Sequence, residues 1–251
     1  VNVASKHVLY LRKGSAFDSE RLGKIREKKL KYLWVQAGDL AEYRFLLERR
    51  EVAAFDLTSV LAPDRRAKVV LQSQMAIADG LMRNPLDQEF YRAAIESSKK
   101  LTRFVLDSRD ALGPLTDVMP GTRTVSSHGV FVAVTAISLA KKLELGEIKD
   151  LHLLTLGCLI HDLGHTTSEE TQALFGKEFA LLAPPEQGAY RNHAIAGVNV
   201  VKDQSHYDQH VVDIMLEHEE HIDGTGYPKG LRASQMHQFS MIAATANAFD
   251  R

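Results

Sequence analysis

The placing of histidine constrains this chain more than any other feature. Ten of the eleven histidines fall between His128 and His237, and only His7 lies outside that stretch. Several stand on successive helical-looking segments, each before a helix break or an apolar face. His128 precedes Val130, Phe131, Val134 and Ile137. The pair His161-Asp162 ends an apolar run closed by Gly164. His193 opens Ala194–Val198, and His218-Glu219-Glu220-His221 ends a further segment. Neutral imidazole is the commonest biological metal ligand, and a carboxylate beside it can bridge two ions. Neighbours on a helix point about 100° apart, so His161 and Asp162 would not grip one ion alike. The two oxygens of Asp162 can instead bind beside His161 and reach a second ion. Taken singly, each histidine is more often a satisfied or exposed residue than a ligand; together they point to a multi-metal site. Nitrogen and oxygen donors without thiolates suit Fe, Mn or Zn better than a Cys-built structural zinc site.

Composition excludes several function classes. A net charge of −1 gives no bulk electrostatic case for nucleic acid or an anionic membrane. No apolar run approaches the ~20 residues needed to span a bilayer. The single cysteine, Cys158, has no internal disulfide partner and sits in the apolar run Leu153–Ile160, so it reads as a buried, inert thiol. A reducing cytoplasm is the expected location.

The chain reads as three parts, in an α+β class overall. Residues 1–55 are expected to form a small α/β module with a regulatory or packing role. In it, Val8–Leu11 and Leu30–Val35 are strands, Asp18 or Ser19 caps a helix through Leu22, Ile25 and Leu30, and Asp39 caps a helix over Leu40–Arg50. Residues 56–114 are expected to be a helical connector. One helix starts at Pro63-Asp64 and breaks at Asn84-Pro85; a second runs from Leu86 to about Arg109. From 115 to 251 the pattern is a mostly α-helical bundle. Helices are expected over Ser126–Leu143, Ile148–Leu163, from Pro184 through His193, over Asp208–His221 and over Phe239–Asp250.

The most specific motif is Asp223-Gly224-Thr225-Gly226-Tyr227-Pro228, sixty residues after His161-Asp162. Leu182–Glu186 ahead of Arg191-Asn192-His193, and Gly230-Leu231 after the turn, accompany it. With these, residues 115–251 resemble the HD-GYP family, the branch of HD-domain phosphohydrolases that cleaves cyclic di-GMP. The resemblance implies metal ligands at His128, His161, Asp162, His193, His218, Glu219 and Asn247, with Asp162 bridging two divalent ions, Fe first and Mn or Zn as alternatives. Glu219 stands where the family has a second histidine, and Asn247 where it has an aspartate. His165 stands where the family has a lysine that contacts the scissile phosphate. Asp162 and His165 are therefore the expected catalytic residues, and Arg191 and His165 the substrate contacts. Thr124 occupies the place of a third-metal glutamate in some members, which implies two ions. Glu220 matches the glutamate before the turn, and Asp250 the last aspartate of its motif.

The implied reaction is hydrolysis of cyclic di-GMP to pGpG or GMP by a two-metal-activated hydroxide, which needs no covalent nucleophile. The Gly-Tyr-Pro turn reads first as a structural device, and the family adds substrate or a diguanylate cyclase (GGDEF) domain as contacts. His165 would grip phosphate only when protonated; the alternatives are an exposed helix end or an extra ligand. Asn247, Glu219 and His165 also leave open a weak or inactive member that binds cyclic di-GMP or a partner protein, or a phosphohydrolase for another nucleotide.

Overall fold

The computed structural model describes residues 49–108 apart from 57, then 112–117, 123–145 and 148–250, with isolated positions among the first 48. The chain divides into two compact units, Val1–Arg49 and Arg50–Arg251. In the first, Asn2–Val3 (β1) pairs antiparallel with Lys6–His7 (β2). The strands expected at 8–11 and 30–35 and the helix expected through 22–30 fall almost wholly outside the described residues, as does most of the helix expected over 40–50. Residues 49–55 are helical.

The α+β class is corrected here. Every other regular element among the described residues is helical, and the only further strand-like contact is the single bridge Asp223–Arg232. Two residues per strand offer no face to bury, so β1 and β2 make no sheet layer. The described molecule is an all-α bundle.

Its helices follow from local signals. Pro63–Arg83 (α1) begins with Pro at its first position, where the missing N–H is harmless. Gln88–Asp107 (α2) is capped by Asp87, whose carboxylate accepts from the Glu89 and Phe90 amides; such a cap is worth about 1 kcal/mol. Leu112–Asp117 (α3) is a short turn of helix. Val125–Lys142 (α4) starts at a reciprocal capping box between Thr124 and Ser127. Thr124 thus spends its hydroxyl on the helix end.

Ile148–Ile160 (α5) is the centre of the bundle. It is apolar around its circumference, and α4, α2 and a later helix pack against it. Leu154, Leu156, Cys158, Leu159 and Ile160 are all buried. Gly129 lets α4 come close: a Cβ there would stand 2.5 Å from the Leu159 carbonyl oxygen. This contact brings His128 alongside the end of α5.

The remaining helices differ in part from their apolar patterns. Glu169–Leu174 (α6) has no counterpart in the sequence reading. The segment from Pro184 is two helices, Pro184–Arg191 (α7) and His193–Val201 (α8). Gln209–Glu217 (α9) is capped by Asp208 and stops four residues before His221. Gln238–Asp250 (α10) closes the bundle against α4 and α9.

Candidate metal centre

Helix ends, rather than helix faces, build the site. His128 lies in the first turn of α4. His161 and Asp162 follow the last residue of α5, and His165 lies in the 3₁₀ turn Leu163–Thr166. His193 opens α8, His218 and Glu219 leave α9, and Asn247 and Asp250 lie in the last turn of α10. Gly164 makes one of these junctions possible. A Cβ at that position would fall inside the His193 carbonyl, so only glycine lets the 3₁₀ turn rest on the start of α8.

The gathered side chains are buried: His128, His161, Asp162, His165, His193, His218, Glu219 and Asn247 each expose 5% or less of their surface. Asp162 lies between two groups. Its Oδ2 is 3.4 Å from His161 Nε2 and 3.5 Å from His128 Nε2; its Oδ1 is 3.3 Å from His193 Nε2 and 3.4 Å from His218 Nε2. Glu219 Oε1 lies 3.7 Å from His218 Nε2 and 3.9 Å from His193 Nε2. Asn247 Oδ1 faces His128 Nε2 at 3.0 Å, while its amide nitrogen donates to the His218 carbonyl and to Glu219 Oε1, each at 3.3 Å.

Tautomers follow from the outer hydrogen bonds. Nδ1–H donates to a backbone carbonyl in His161 (Cys158), His193 (Tyr190), His218 (Met215) and His165 (Thr171). His128 differs: its Nδ1 donates to Asp250 Oδ2 at 2.5 Å. Arg123 donates to that same oxygen at 2.6 Å and to the Asp250 carbonyl at 2.8 Å. Arg123 Nη2 also lies 2.7 Å from His128 Nδ1, and Nδ1–H directed at Asp250 is the arrangement that gives every donor an acceptor. In every histidine of the centre, Nε2 therefore carries a lone pair pointing inward.

Burial favours the neutral form of His218, His165 and His128. It pushes His218 down to about 3 and His165 down to about 4, and it lowers His128 against the opposing pull of Asp250.

Divalent ions fit this donor set. Lone pairs face one another at 2.8 Å between His193 and His218 and at 3.2 Å between His161 and His128. Asp162 Oδ1 is buried with no hydrogen-bond donor. Opposed acceptors in a buried site are unfavourable unless a cation stands among them. The donor atoms of His128, His161 and Asp162, of Asp162, His165 and His193, and of His193, His218 and Glu219 each lie within 4.8 Å of one another. These overlapping groups share Asp162 and His193.

Other residues singled out in the sequence lie elsewhere. Arg191 is exposed, its guanidinium over the rings of Phe179 (5.0 Å) and Tyr227 (5.7 Å). The Tyr227 ring stands 6.4 Å from that of His193, so Arg191 lies beside the centre. His221 is exposed and contacts Thr225, and His210 stacks on His237. Glu220 holds the Gly-Tyr-Pro loop by accepting from the Lys229 and Leu231 amides. Sequence reasoning attached no role to Asp250 and overlooked Thr171, Phe175 and Tyr190, which surround His165.

The family described as HD domain matches residues 92–251. The whole chain superposes on Bd1817, a HDG"Y"P protein from Bdellovibrio bacteriovorus, with a TM-score of 0.85 and 33% identity, covering 80% of that chain. The chain belongs to the HD-GYP family. Among curated proteins it is 27% identical over 263 residues to the cyclic di-GMP phosphodiesterase PA4108 of Pseudomonas aeruginosa, matching 97% of this chain and 61% of that protein. It is 26% identical over 127 residues to the cyclic di-GMP phosphodiesterase PdeB of Borreliella burgdorferi, matching 49% of this chain and 31% of that protein. The chain thus spans less than two thirds of either curated relative. No helix among the described residues is long and apolar enough to cross a membrane.

Proposed function

We propose that this HD-GYP protein is a metal-dependent phosphodiesterase that hydrolyses cyclic di-GMP. The observation that carries the reading is the shared Asp162, its Oδ1 buried without a donor, between two sets of inward lone pairs. The relatives' names supply the substrate. His128, His161 and Asn247 would hold one divalent ion and His193, His218 and Glu219 the other, with Asp162 common to both. Iron is favoured, and Mn or Zn are suited to the same nitrogen and oxygen donors. When bound, such a pair supplies an activated water and neutralises charge on the phosphate.

The chain's own residues set what surrounds that chemistry. Asp162 keeps the two sets in register. Arg191, held against Tyr227 beside His193, is the candidate cation to orient a phosphate. His165 has different surroundings from those of a phosphate-gripping cation: it is buried, neutral and anchored to the Thr171 carbonyl, so we assign it no phosphate contact. Covalent attack by the chain has no support, because burial pushes the Cys158 thiol far up. The reaction is addition of water at one phosphorus and loss of the O3′ of its 3′–5′ linkage, giving pGpG and, after a second cleavage, GMP. Neither the loop geometry nor the relatives' names support a diguanylate cyclase partner.

One observation favours a second reading, nucleotide binding with weak or no turnover. Asn247 replaces an anionic donor by a neutral one, and its amide nitrogen is committed to Glu219 and the His218 carbonyl. Incubating anaerobically purified protein with cyclic di-GMP and resolving the nucleotides by chromatography separates the two. The first reading expects linear product from the wild type and none from Asp162→Ala. Tight nucleotide binding without product would establish the second.

A further inference from the structure

Resting on that metal-dependent reading, we propose that His165 is itself a metal ligand, its Nε2 joining Asp162 and His193 around one ion. The inference is geometric. Four histidines of the centre share one arrangement: a buried ring, Nδ1–H donated to a backbone carbonyl, and Nε2 aimed inward. His161, His193 and His218 take it through the carbonyl three residues before them; His165 takes it through Thr171, six residues after.

His165 Nε2 is buried without a hydrogen-bond partner and stands 4.0 Å from Asp162 Oδ1, the other donor-less atom of the centre. Two unpartnered acceptors facing each other in a buried space fit a shared cation. The ring is also fixed. It stacks on His193 with centroids 4.2 Å apart and planes 19° from parallel, and the edges of Phe175 and Tyr190 close round it. Its Nε2 adds a nitrogen on the side where His193 and His218 already stand.

The test uses Co²⁺ as the probe and the full chain. Chelator-stripped protein is titrated anaerobically, with binding followed by the d–d absorption of cobalt and by competition with a chelating dye. The wild type is expected to bind two ions. His165→Gln is expected to bind one with unchanged affinity and the other at least about ten-fold more weakly. Free imidazole should restore the lost absorption in His165→Gly. A measurement on the wild type needs no variant to fold. In the Co²⁺-loaded protein, each ligand imidazole that keeps its Nδ1–H should give one hyperfine-shifted, exchangeable proton signal, and the inference expects five, one each from His128, His161, His165, His193 and His218. Four signals, or unchanged binding of both ions by His165→Gln, would overturn it while leaving the metal-dependent reading intact. A wild type that binds no Co²⁺ would overturn both.

Discussion

The two halves of the centre, on either side of Asp162, are built on different plans. On one side His128 and His161 face Asn247, a neutral oxygen donor, and the negative charge stands one shell out, in Asp250 behind His128. On the other side Glu219 stands among the donors beside His193 and His218, and every imidazole is backed by a backbone carbonyl. A carboxylate that accepts from a ligand histidine makes that histidine a stronger donor. In the proposed centre, Asp250 would return through His128 part of the charge that the neutral Asn247 does not supply.

The largest expected effect comes from removing what the halves share. Asp162→Ala should lower turnover of cyclic di-GMP by at least about a thousand-fold, because residues acting as one unit fail together. Metal analysis of the same variant should show both ions lost; retention of one tightly bound ion would mean that the halves are independent. Asp250→Asn should act on the His128 half alone, weakening one ion by about ten- to a hundred-fold in a chelator competition. An equal loss at both ions would contradict the division. Asn247→Asp should move the other way and tighten that same ion by about ten-fold, since ligand charge sets affinity for divalent ions. A smaller effect concerns the metal-free protein. His218 (about 3) and His165 (about 4) are held far below the 6.5 of a free histidine. The unfolded chain therefore takes up protons that the folded one refuses. Their contribution to stability is present in full above about pH 6.5 and falls away as the pH drops toward 4. Melting temperatures of metal-free protein should decline over that range, and His165→Gln should flatten the decline.

Some of this architecture was legible in the sequence and some was not, for physical reasons. The helical character of much of 63–107 and 125–250 was readable, because apolar spacing acts locally. The helix ends were less so. The pattern carried α9 on to His221, whereas the backbone leaves the helix at His218 and turns that side chain and Glu219 into the centre. The α+β expectation rested on two short β-rich runs, 8–11 and 30–35, which lie outside the described residues. At the site, residues of chemical type could be named because metal ligands are few in kind. Their outer shell could not. Asp250 meets His128 across 122 positions, and the setting of His165 comes from Thr171, Phe175 and Tyr190, none of which carries a metal-binding signature. Burial and the Thr171 carbonyl fix the His165 ring with Nε2 inward, a setting no local pattern encodes.

The central claim is that two unlike sets of donors, joined by Asp162, hold an ion each. The metal content of protein isolated anaerobically without chelator tests it most directly. The account predicts two divalent ions per chain in the wild type. A single ion per chain, or none, in folded protein would contradict it.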